Sequence, residues 1–378
     1  MLKVKQHNLT WDKVFFYILV TFYLVFIIKQ VFINIKYDNG FTFGDWIINY
    51  HDGGFKRRGI FGSSAILFYD YLNIPIKYYV YFIQVFFYLA TTYTLYKNVK
   101  YSPALWLIFF NPLSFAMYFD DLGVIGRKEI ITIFLFSILG FYKNFNSLKF
   151  YLFCVVLNIS ILIHELQFFY LSIFALFILF SKNENKIKHC VILVGTSCLT
   201  IALLFFFGHA INEGNTFTIL EQRGISKELK GLGQMGILTW NDNFDKLALF
   251  KSLNYYLYFF SYIFSTLYFY LFLHKAYSKE TAKVYLITNV VALICSIPIY
   301  YLAIDWGRWL HIQTILISLF MLYYVQNHKI KYVLSRKFFI FLFISNLFWS
   351  IQLVDLGFYF HPFTKIQSVL NHILSLLF

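Results

Sequence analysis

The residues best suited to chemistry in this sequence lie in a polar stretch between two long apolar runs. This stretch, GDWIINYHDGGFKRRGIFG (44–62), holds Asp45, Asp52 and three consecutive cations that end in Arg57 and Arg58. A guanidinium presents a planar fork of donors that suits phosphate or carboxylate, and a carboxylate can accept a proton from a hydroxyl group. We therefore predict that Arg57 and Arg58 bind a diphosphate and that Asp45 or Asp52 acts as a base. The alternative is a solvated loop whose cations touch lipid headgroups.

A second charged segment, FDDLGVIGRKE (119–129), directly precedes another apolar run. It has paired acids, a flexible glycine, and then Arg127 and Lys128. Charge at membrane depth is costly and commonly serves a function. Both cations are therefore predicted to bind substrate. The alternative is a structural ion pair between Arg127 and one of the two acids.

The pair His164-Glu165 lies at the centre of a 33-residue apolar stretch, 148–180. Two titratable groups are costly there unless they face a polar cavity, so either of them is a candidate proton acceptor. We assign Glu165 as a candidate base and His164 as a substrate contact. The pair also predicts that two short helices meet here in a tight turn, and the plain alternative is a hairpin tip in lipid headgroups.

The segment AIDWGRWLHI (303–312) combines acid, base and indole side chains at the edge of an apolar run. Asp305 is a further candidate base, and Trp306 and Arg308 are predicted to contact sugar by stacking and hydrogen bonding. Tryptophans at such an edge are also ordinary interfacial anchors. An Asp and an Arg three residues apart can likewise form a structural pair.

The last candidate is Arg223, predicted to bind substrate from a long polar loop (208–252) that could cover a cavity. Outside these segments the sequence has no nucleotide-binding, zinc-binding or nucleophile-elbow motif. The four cysteines lie in apolar runs without metal-ligand spacing. No metal and no cofactor are therefore predicted.

The elements that must position these residues are transmembrane helices. Of the 378 residues, 60% are hydrophobic and only 13% are charged, and apolar runs of helical length recur along the chain. The fold class is predicted to be all-α, a polytopic helical membrane bundle of about eleven spans. The predicted spans are 14–35, 78–96, 103–119, 130–142, 150–163, 166–180, 190–207, 253–273, 284–303, 309–326 and 338–354.

The distribution of charge sets the predicted topology. With the N-terminus in the cytoplasm, the inside segments hold 17 of the 32 cationic residues and only three acids, as the positive-inside rule requires. Five of the six arginines fall on the outer side. The net charge of +14 is spread as single lysines at the ends of apolar runs, which argues against nucleic-acid binding.

One integral-membrane domain covers residues 1–378. Outer loops 36–77 and 208–252 flank the predicted site, and the tail 355–378 is predicted to lie at the membrane interface as an amphipathic helix. An outer-face site has no access to ATP, so any transfer there needs a preactivated donor. A polyprenyl diphosphate-linked sugar meets this need, because its leaving group stays in the membrane.

Four motifs together resemble a known family. The GDW…GGF.RRG.FG loop, the GRKE segment, the outer His-Glu pair and the DWGRW segment resemble Wzy-like O-antigen or capsular polysaccharide polymerases. These proteins are similar in plan to GT-C-type integral-membrane glycosyltransferases. The resemblance covers topology over nearly the whole chain and sequence in about four short loops. Many such polymerases carry one very large periplasmic loop, whereas loop 208–252 is of modest length.

The resemblance implies a glycosyltransferase in the bacterial inner membrane that joins lipid-linked oligosaccharide repeats on its periplasmic face. It implies as partners a polyprenyl diphosphate-linked oligosaccharide, membrane lipid and a regulator of chain length. Three alternatives stay open at this point: a flippase or transporter for a lipid-linked glycan, a single-sugar transferase of GT-C type, and a membrane acyltransferase that uses His164 with Glu165.

Overall fold

A computed structural model describes most of the chain. The described residues are 41–51, 53–55, 58–99, 126–208, 211–225, 255–302, 306–330, 351–354 and 357–360, with isolated positions between 21 and 36. Apart from one short hairpin, the described elements are helical. The helices are α1 (Phe41–Ile47), α2 (Gly59–Leu72), α3 (Ile76–Val99), α4 (Glu129–Leu139), α5 (Ser147–Ile163), α6 (Leu166–Phe169), α7 (Leu171–Leu179), α8 (Lys186–Phe207), α9 (Glu213–Glu221), α10 (Tyr255–Ala276), α11 (Lys279–Leu302) and α12 (Trp306–Asn327).

Three of the described helices are both long and apolar enough to cross a membrane. These segments are Lys186–Phe207, Lys279–Tyr300 and Trp306–Asn327, and each overlaps a predicted span. A membrane protein with several spanning helices is therefore supported. The number of eleven spans and the GT-C plan stay predictions, and span 103–119 lies outside the described residues.

Short non-helical connections separate the helices in the middle of the sequence. Helix α5 begins where Asn146 caps it by accepting a 2.9 Å hydrogen bond from the Lys149 amide. It ends at Ile163, because His164 has an extended backbone, and α6 starts at Leu166. The predicted break at His164-Glu165 is confirmed.

Contacts between the described helices define two ends of the bundle that differ in chemistry. At one end, called the lysine end, lie the connections 140–146, 180–185 and 277–278 and the C-terminus of α12. Packing across this end joins the Tyr142 hydroxyl to His189 Nδ1 at 2.6 Å, and it joins the rings of Phe180 and Phe320 at 6.0 Å. The opposite end, called the site end, holds the starts of α2, α4 and α12 and the break between α5 and α6.

Helix α12 is the centre of the bundle. Most of its residues from Gly307 to Val325 are buried, including polar ones. It contacts α4, α7, α10 and α11. Near the site end it is joined to the start of α7, because the Tyr170 hydroxyl donates to the Trp309 carbonyl at 3.2 Å. The side chains at the start of α12 are thereby held in place.

A neutral polar cluster, called the amide cluster, joins α10, α11 and α12. It consists of Tyr262, Asn289, Ser296 and Gln313. The Tyr262 hydroxyl donates to Asn289 Oδ1 at 2.9 Å and accepts from Gln313 Nε2 at 2.6 Å. The Ser296 hydroxyl lies 3.0 Å from Gln313 Oε1. These bonds satisfy amides that would otherwise be buried without partners.

Close backbone packing sets α1 against α2. A Cβ atom on Gly62 would lie 2.1 Å from the Ile48 carbonyl oxygen, so only glycine fits this contact. This close packing brings Asp45 on α1 to the start of α2, where Arg58 lies.

The structure differs from the sequence-based expectation near the C-terminus. Strands β1 (Ile351–Val354) and β2 (Gly357–Phe360) pair antiparallel, with Val354 opposite Gly357. The end of the predicted span 338–354 and part of the tail 355–378 are therefore strand. A short apolar run rich in β-branched and aromatic residues does not by itself distinguish helix from strand. The rest of the tail lies outside the described residues.

Candidate functional site

Seven titratable or charged side chains meet at the site end. They come from α1, from the residue before α2, from the start of α4, from the break between α5 and α6, and from the start of α12. We call this group the ion cluster, and its members are Asp45, Arg58, Lys128, Glu129, His164, Glu165 and Arg308.

Arg58 is the member with the most contacts. Its Nε and Nη2 donate to the two oxygens of Glu165 at 3.1 and 2.6 Å, and its Nη1 donates to Asp45 Oδ1 at 2.9 Å. Three of the five N–H groups of the guanidinium are therefore engaged. Glu165, which is largely buried, has both oxygens on this fork, so Arg58 holds both carboxylates in fixed positions.

The backbone of Arg58 is held as firmly as its side chain. Arg58 has a left-handed conformation (φ 69°, ψ 4°), which is rare for a residue with a Cβ atom. Its amide donates to the Leu162 carbonyl at 3.0 Å, near the end of α5. This bond ties the start of α2 to the break between α5 and α6.

Lys128 is fully buried beneath this pair. Its Nζ lies 3.4 Å from the carbonyl oxygens of Arg58 and Ile163 and 3.9 Å from Asp45 Oδ2. It also lies over the Trp46 ring at 6.0 Å. Burial lowers the pKa of Lys128 to about 8, although the charge of Asp45 acts in the opposite direction. This position joins three segments, and direct contact of Lys128 with substrate stays a prediction.

The turn before Lys128 is anchored by neutral side chains. Gly126 has a positive φ of 86°, which favours glycine. Its carbonyl accepts hydrogen bonds from Trp46 Nε1 and, at 2.8 Å, from Gln84 Nε2. Its amide donates to the Tyr88 hydroxyl at 3.2 Å. These bonds position Lys128 and the start of α4.

His164 lies between two carboxylates. Its Nε2 is 3.6 Å from Glu129 Oε1, and its Nδ1 is 3.8 Å from Glu165 Oε2. Burial and the Arg58 charge lower the pKa of His164, but contact with Glu129 and Glu165 outweighs them and raises it above the usual value.

Glu129 is the site residue that the sequence analysis did not single out. It is only 1% exposed, and its Oε1 lies 3.1 Å from Arg308 Nε as well as close to His164. One signal could have identified it, since Glu129 is the only acid between Asp121 and Glu165.

Asp45 is the most open carboxylate of the cluster. Its side chain is 19% exposed, against 7% for Glu165 and 1% for Glu129. Burial raises the pKa of Asp45, but the charges of Lys128 and Arg58 outweigh it and hold the pKa at about 2. Asp45 is therefore ionised at neutral pH and can be reached from outside.

The structure brings together half of the twelve predicted site residues. Those in the ion cluster are Asp45, Arg58, Lys128, His164, Glu165 and Arg308. Arg127 is partly buried beside Glu129 and acts on its charge. Asp52, Arg57 and Asp305 lie outside the described residues.

Two further predicted site residues, Arg223 and Trp306, are described but are not members of the ion cluster. Arg223 forms a two-pronged ion pair with Asp70, with Nε and Nη2 each 2.8 Å from a carboxylate oxygen. Asp70 lies twelve residues beyond Arg58 along the α2 segment, about 18 Å at helical rise. Trp306 packs edge-on against Phe259 and Tyr300, with ring centroids at 5.7 and 6.0 Å.

Within the described residues, no group of three or more His, Cys, Asp or Glu side chains has a metal-binding arrangement. A comparison of the chain with protein-family models, curated proteins and solved structures finds no match. The candidate site therefore stands on its own geometry.

Proposed function

We propose that this protein is a membrane glycosyltransferase that joins polyprenyl diphosphate-linked oligosaccharides into a surface polysaccharide. The observation that carries the proposal is the ion cluster, in which an open carboxylate lies beside a fixed arginine at one end of the bundle. A transferase of this kind needs a base for the acceptor hydroxyl and cations for the departing diphosphate.

The proposed reaction is a single displacement at the sugar. The acceptor hydroxyl oxygen forms a bond to the anomeric carbon of the donor while the bond from that carbon to the diphosphate oxygen breaks. Asp45 accepts the hydroxyl proton, and the diphosphate leaves with the bonding electron pair. Asp45 fits this role better than Glu165 or Glu129, because its side chain is 19% exposed even though one oxygen accepts from Arg58. Glu165 is bound to Arg58 through both oxygens, and Glu129 is only 1% exposed.

The cations divide into two roles in this proposal. Arg58 has donors left over and a side chain that is 26% exposed, and Arg127 is also partly exposed. These two, with Arg57, bind the diphosphate and stabilise its charge as it leaves. Lys128 and Arg308 are buried, and they position Asp45 and Glu129.

The depth of the site favours a substrate held in the membrane. Helix α4 has 11 residues, about 17 Å at helical rise, whereas the hydrocarbon core is about 30 Å thick. The charges at the start of α4 are therefore recessed relative to the ends of the longer helices. A recessed cationic site suits a diphosphate attached to a lipid better than a soluble nucleotide sugar. A periplasmic orientation in the inner membrane is part of the proposal.

A second candidate, an acyltransferase, is favoured by one observation. His164 has a carboxylate on each side, at 3.6 and 3.8 Å, and a histidine with an acidic partner is a common general base. In this function His164 takes the proton of a sugar hydroxyl that attacks an acyl donor. Acyl transfer to purified glycan that is abolished by His164→Ala, without glycan elongation, would favour this candidate.

The test of the proposed function is reconstitution. Purified full-length protein in liposomes is given a polyprenyl diphosphate-linked oligosaccharide, and product length is read on a gel. We expect a ladder of longer chains and a loss of turnover of at least about 100-fold in Asp45→Asn. The matched control is Asp70→Asn, which breaks an arginine–carboxylate pair outside the ion cluster and should leave turnover unchanged.

Other outcomes distinguish the alternatives. Addition of one sugar without elongation indicates a single-sugar transferase, and movement of substrate across the bilayer without bond formation indicates a flippase. In cells, deletion of the gene should reduce surface polysaccharide to single repeats. An unchanged length distribution would contradict the polymerase proposal.

A further inference from the structure

His164 lies between two ion pairs of the ion cluster. On one side lies the pair Glu129–Arg308, with 3.1 Å between carboxylate and guanidinium, and on the other lies Glu165–Arg58. The imidazole reaches one carboxylate with each ring nitrogen. Its charge therefore acts on both pairs, and it also acts on Asp45.

Among the described residues that form these ion pairs, three carboxylates (Asp45, Glu129 and Glu165) face three cations (Arg58, Lys128 and Arg308). Arg127 also acts on Glu129, and a protonated His164 adds one further positive charge to this group. His164 contacts Glu129 on α4 and Glu165 on its own connection, and its charge interacts with Asp45 on α1 and Arg58 at the start of α2. The charged partners of these groups are Lys128 and Arg127 before α4 and Arg308 on α12, and the buried His311 follows Arg308 by three residues.

We propose that His164 takes up a proton when the site binds a diphosphate group. The inference rests on the proposed function for its ligand, and it deepens that function by coupling binding to protons. An incoming diphosphate adds negative charge next to this buried cluster. Protonation of His164 supplies the compensating positive charge without any change in the arginine contacts.

The location of His164 favours this role over that of a passive core histidine. It is 3% exposed, and its two neighbours are carboxylates that stabilise the imidazolium form. The same contacts already raise its pKa against the effect of burial. The negative charge of a bound diphosphate also favours the protonated form of His164.

Linkage gives the sign of the effect. If binding of the diphosphate favours protonated His164, then protonation favours binding by the same factor. Affinity therefore falls as pH rises through the pKa of His164 in the free protein. It falls by at most about tenfold per pH unit, because one proton is involved.

The experiment measures proton uptake directly. Full-length protein in detergent is titrated calorimetrically with inorganic pyrophosphate and, separately, with farnesyl diphosphate between about pH 6 and pH 9. Repeating each titration in buffers of different ionisation enthalpy gives the number of protons bound. Uptake with both ligands indicates that the diphosphate itself is recognised, and uptake with farnesyl diphosphate alone indicates a lipid-linked one. Either result supports the inference.

Variants assign the proton to a residue. The ligand itself gains or loses protons on binding, and this part is subtracted. His164→Gln should abolish the remaining, pH-dependent proton uptake by the protein. His189→Gln should retain it, because His189 is equally buried at 3% exposure but lies at the lysine end. Glu129→Gln should move the uptake to lower pH, because one of the two carboxylates that favour the imidazolium is removed.

The outcomes separate this inference from the proposed function. Binding without proton uptake in the unmodified protein, or uptake that persists in His164→Gln, would overturn the inference alone. The first of these measurements needs no variant, so it stands even if His164→Gln does not fold. Diphosphate binding that is coupled to proton uptake, in a protein that transfers no sugar, contradicts only the proposed function. If neither diphosphate binds, both the inference and the proposed function are overturned.

Discussion

Two buried polar clusters share helix α12, and they are built from different chemistry. In the amide cluster, Gln313 bonds to neutral side chains of α10 and α11 at 2.6 and 3.0 Å. In the ion cluster, five residues earlier on the same helix, Arg308 faces the buried carboxylate of Glu129 at 3.1 Å. The first cluster lies between helices, whereas the second lies where several connections meet.

The difference in chemistry indicates that one cluster stabilises the fold and that the other serves a function. A neutral cluster with matched donors and acceptors contributes to helix packing at small net cost. Burial of an ion costs several kcal/mol, which its partner offsets only in part, so ion pairs are weak evidence for stability. The amide cluster is therefore explained by packing alone. The ion cluster is better explained by the proposed reaction, and the predictions below test this division.

The largest effect is expected from removal of one buried ion. Glu129→Ala removes the carboxylate that faces the Arg308 guanidinium, which is 8% exposed, and should lower the free energy of unfolding by roughly 3–5 kcal/mol. Unfolding by SDS in mixed micelles measures it. The double variant Glu129→Leu/Arg308→Met should recover most of the stability while transfer stays lost. A single-variant cost below about 1 kcal/mol, or transfer by the double variant, would contradict the assignment.

The next effect depends on pH. Because the pKa of Asp45 is held at about 2, its ionised form stabilises the folded state above the unfolded pKa of about 3.9. This contribution, about 2–3 kcal/mol by linkage, is lost as pH falls toward about 2. The stability difference between wild type and Asp45→Asn should therefore shrink between about pH 4 and pH 2. A difference that does not change with pH would argue against the ion pair with Arg58.

A smaller effect is expected in the amide cluster. Gln313→Leu removes the bonds to Tyr262 and Ser296 and should cost about 1–2 kcal/mol of stability. Transfer per folded molecule should not change, because no charge of the site is altered. Thermal unfolding and turnover, measured on the same preparation, check both parts. Loss of turnover in a fully folded variant would show that the two clusters are coupled.

The smallest effect is expected at the exposed pair outside both clusters. Asp70 is 38% exposed, so Asp70→Asn should cost no more than about 1 kcal/mol, and less at high salt. Thermal unfolding at low and high ionic strength measures this. A cost as large as that of Glu129→Ala would mean that exposure does not separate structural from functional pairs in this protein.

The sequence predicted the parts of the site that depend on local patterns. A titratable pair in a long apolar stretch indicated the break at His164-Glu165, and charged residues beside glycines indicated Asp45, Arg58 and Lys128. The ends of the described helices α8, α11 and α12 also lie near the predicted span boundaries.

The rest depends on which helices are neighbours, which a single sequence does not contain. The contact of Glu129 with Arg308 joins residues 179 positions apart, so Glu129 looked like an ordinary charge at the edge of a span. Arg223 was predicted for its residue type, but its partner Asp70 lies on another part of α2. The hairpin of β1 and β2 was missed because β1 forms the end of the apolar run 338–354, whereas β2 lies in the tail that was predicted to be helical.

The burial of α12 has a consequence for biogenesis. This helix carries Arg308, His311 and Gln313, which are all buried, and Arg308 and Gln313 contact polar groups of other helices. In an isolated nascent segment the same groups would oppose partitioning from the translocon into the bilayer. We therefore expect α12 to insert only after α4, α10 and α11 are in place, so that the last described spanning helix depends on those synthesised before it.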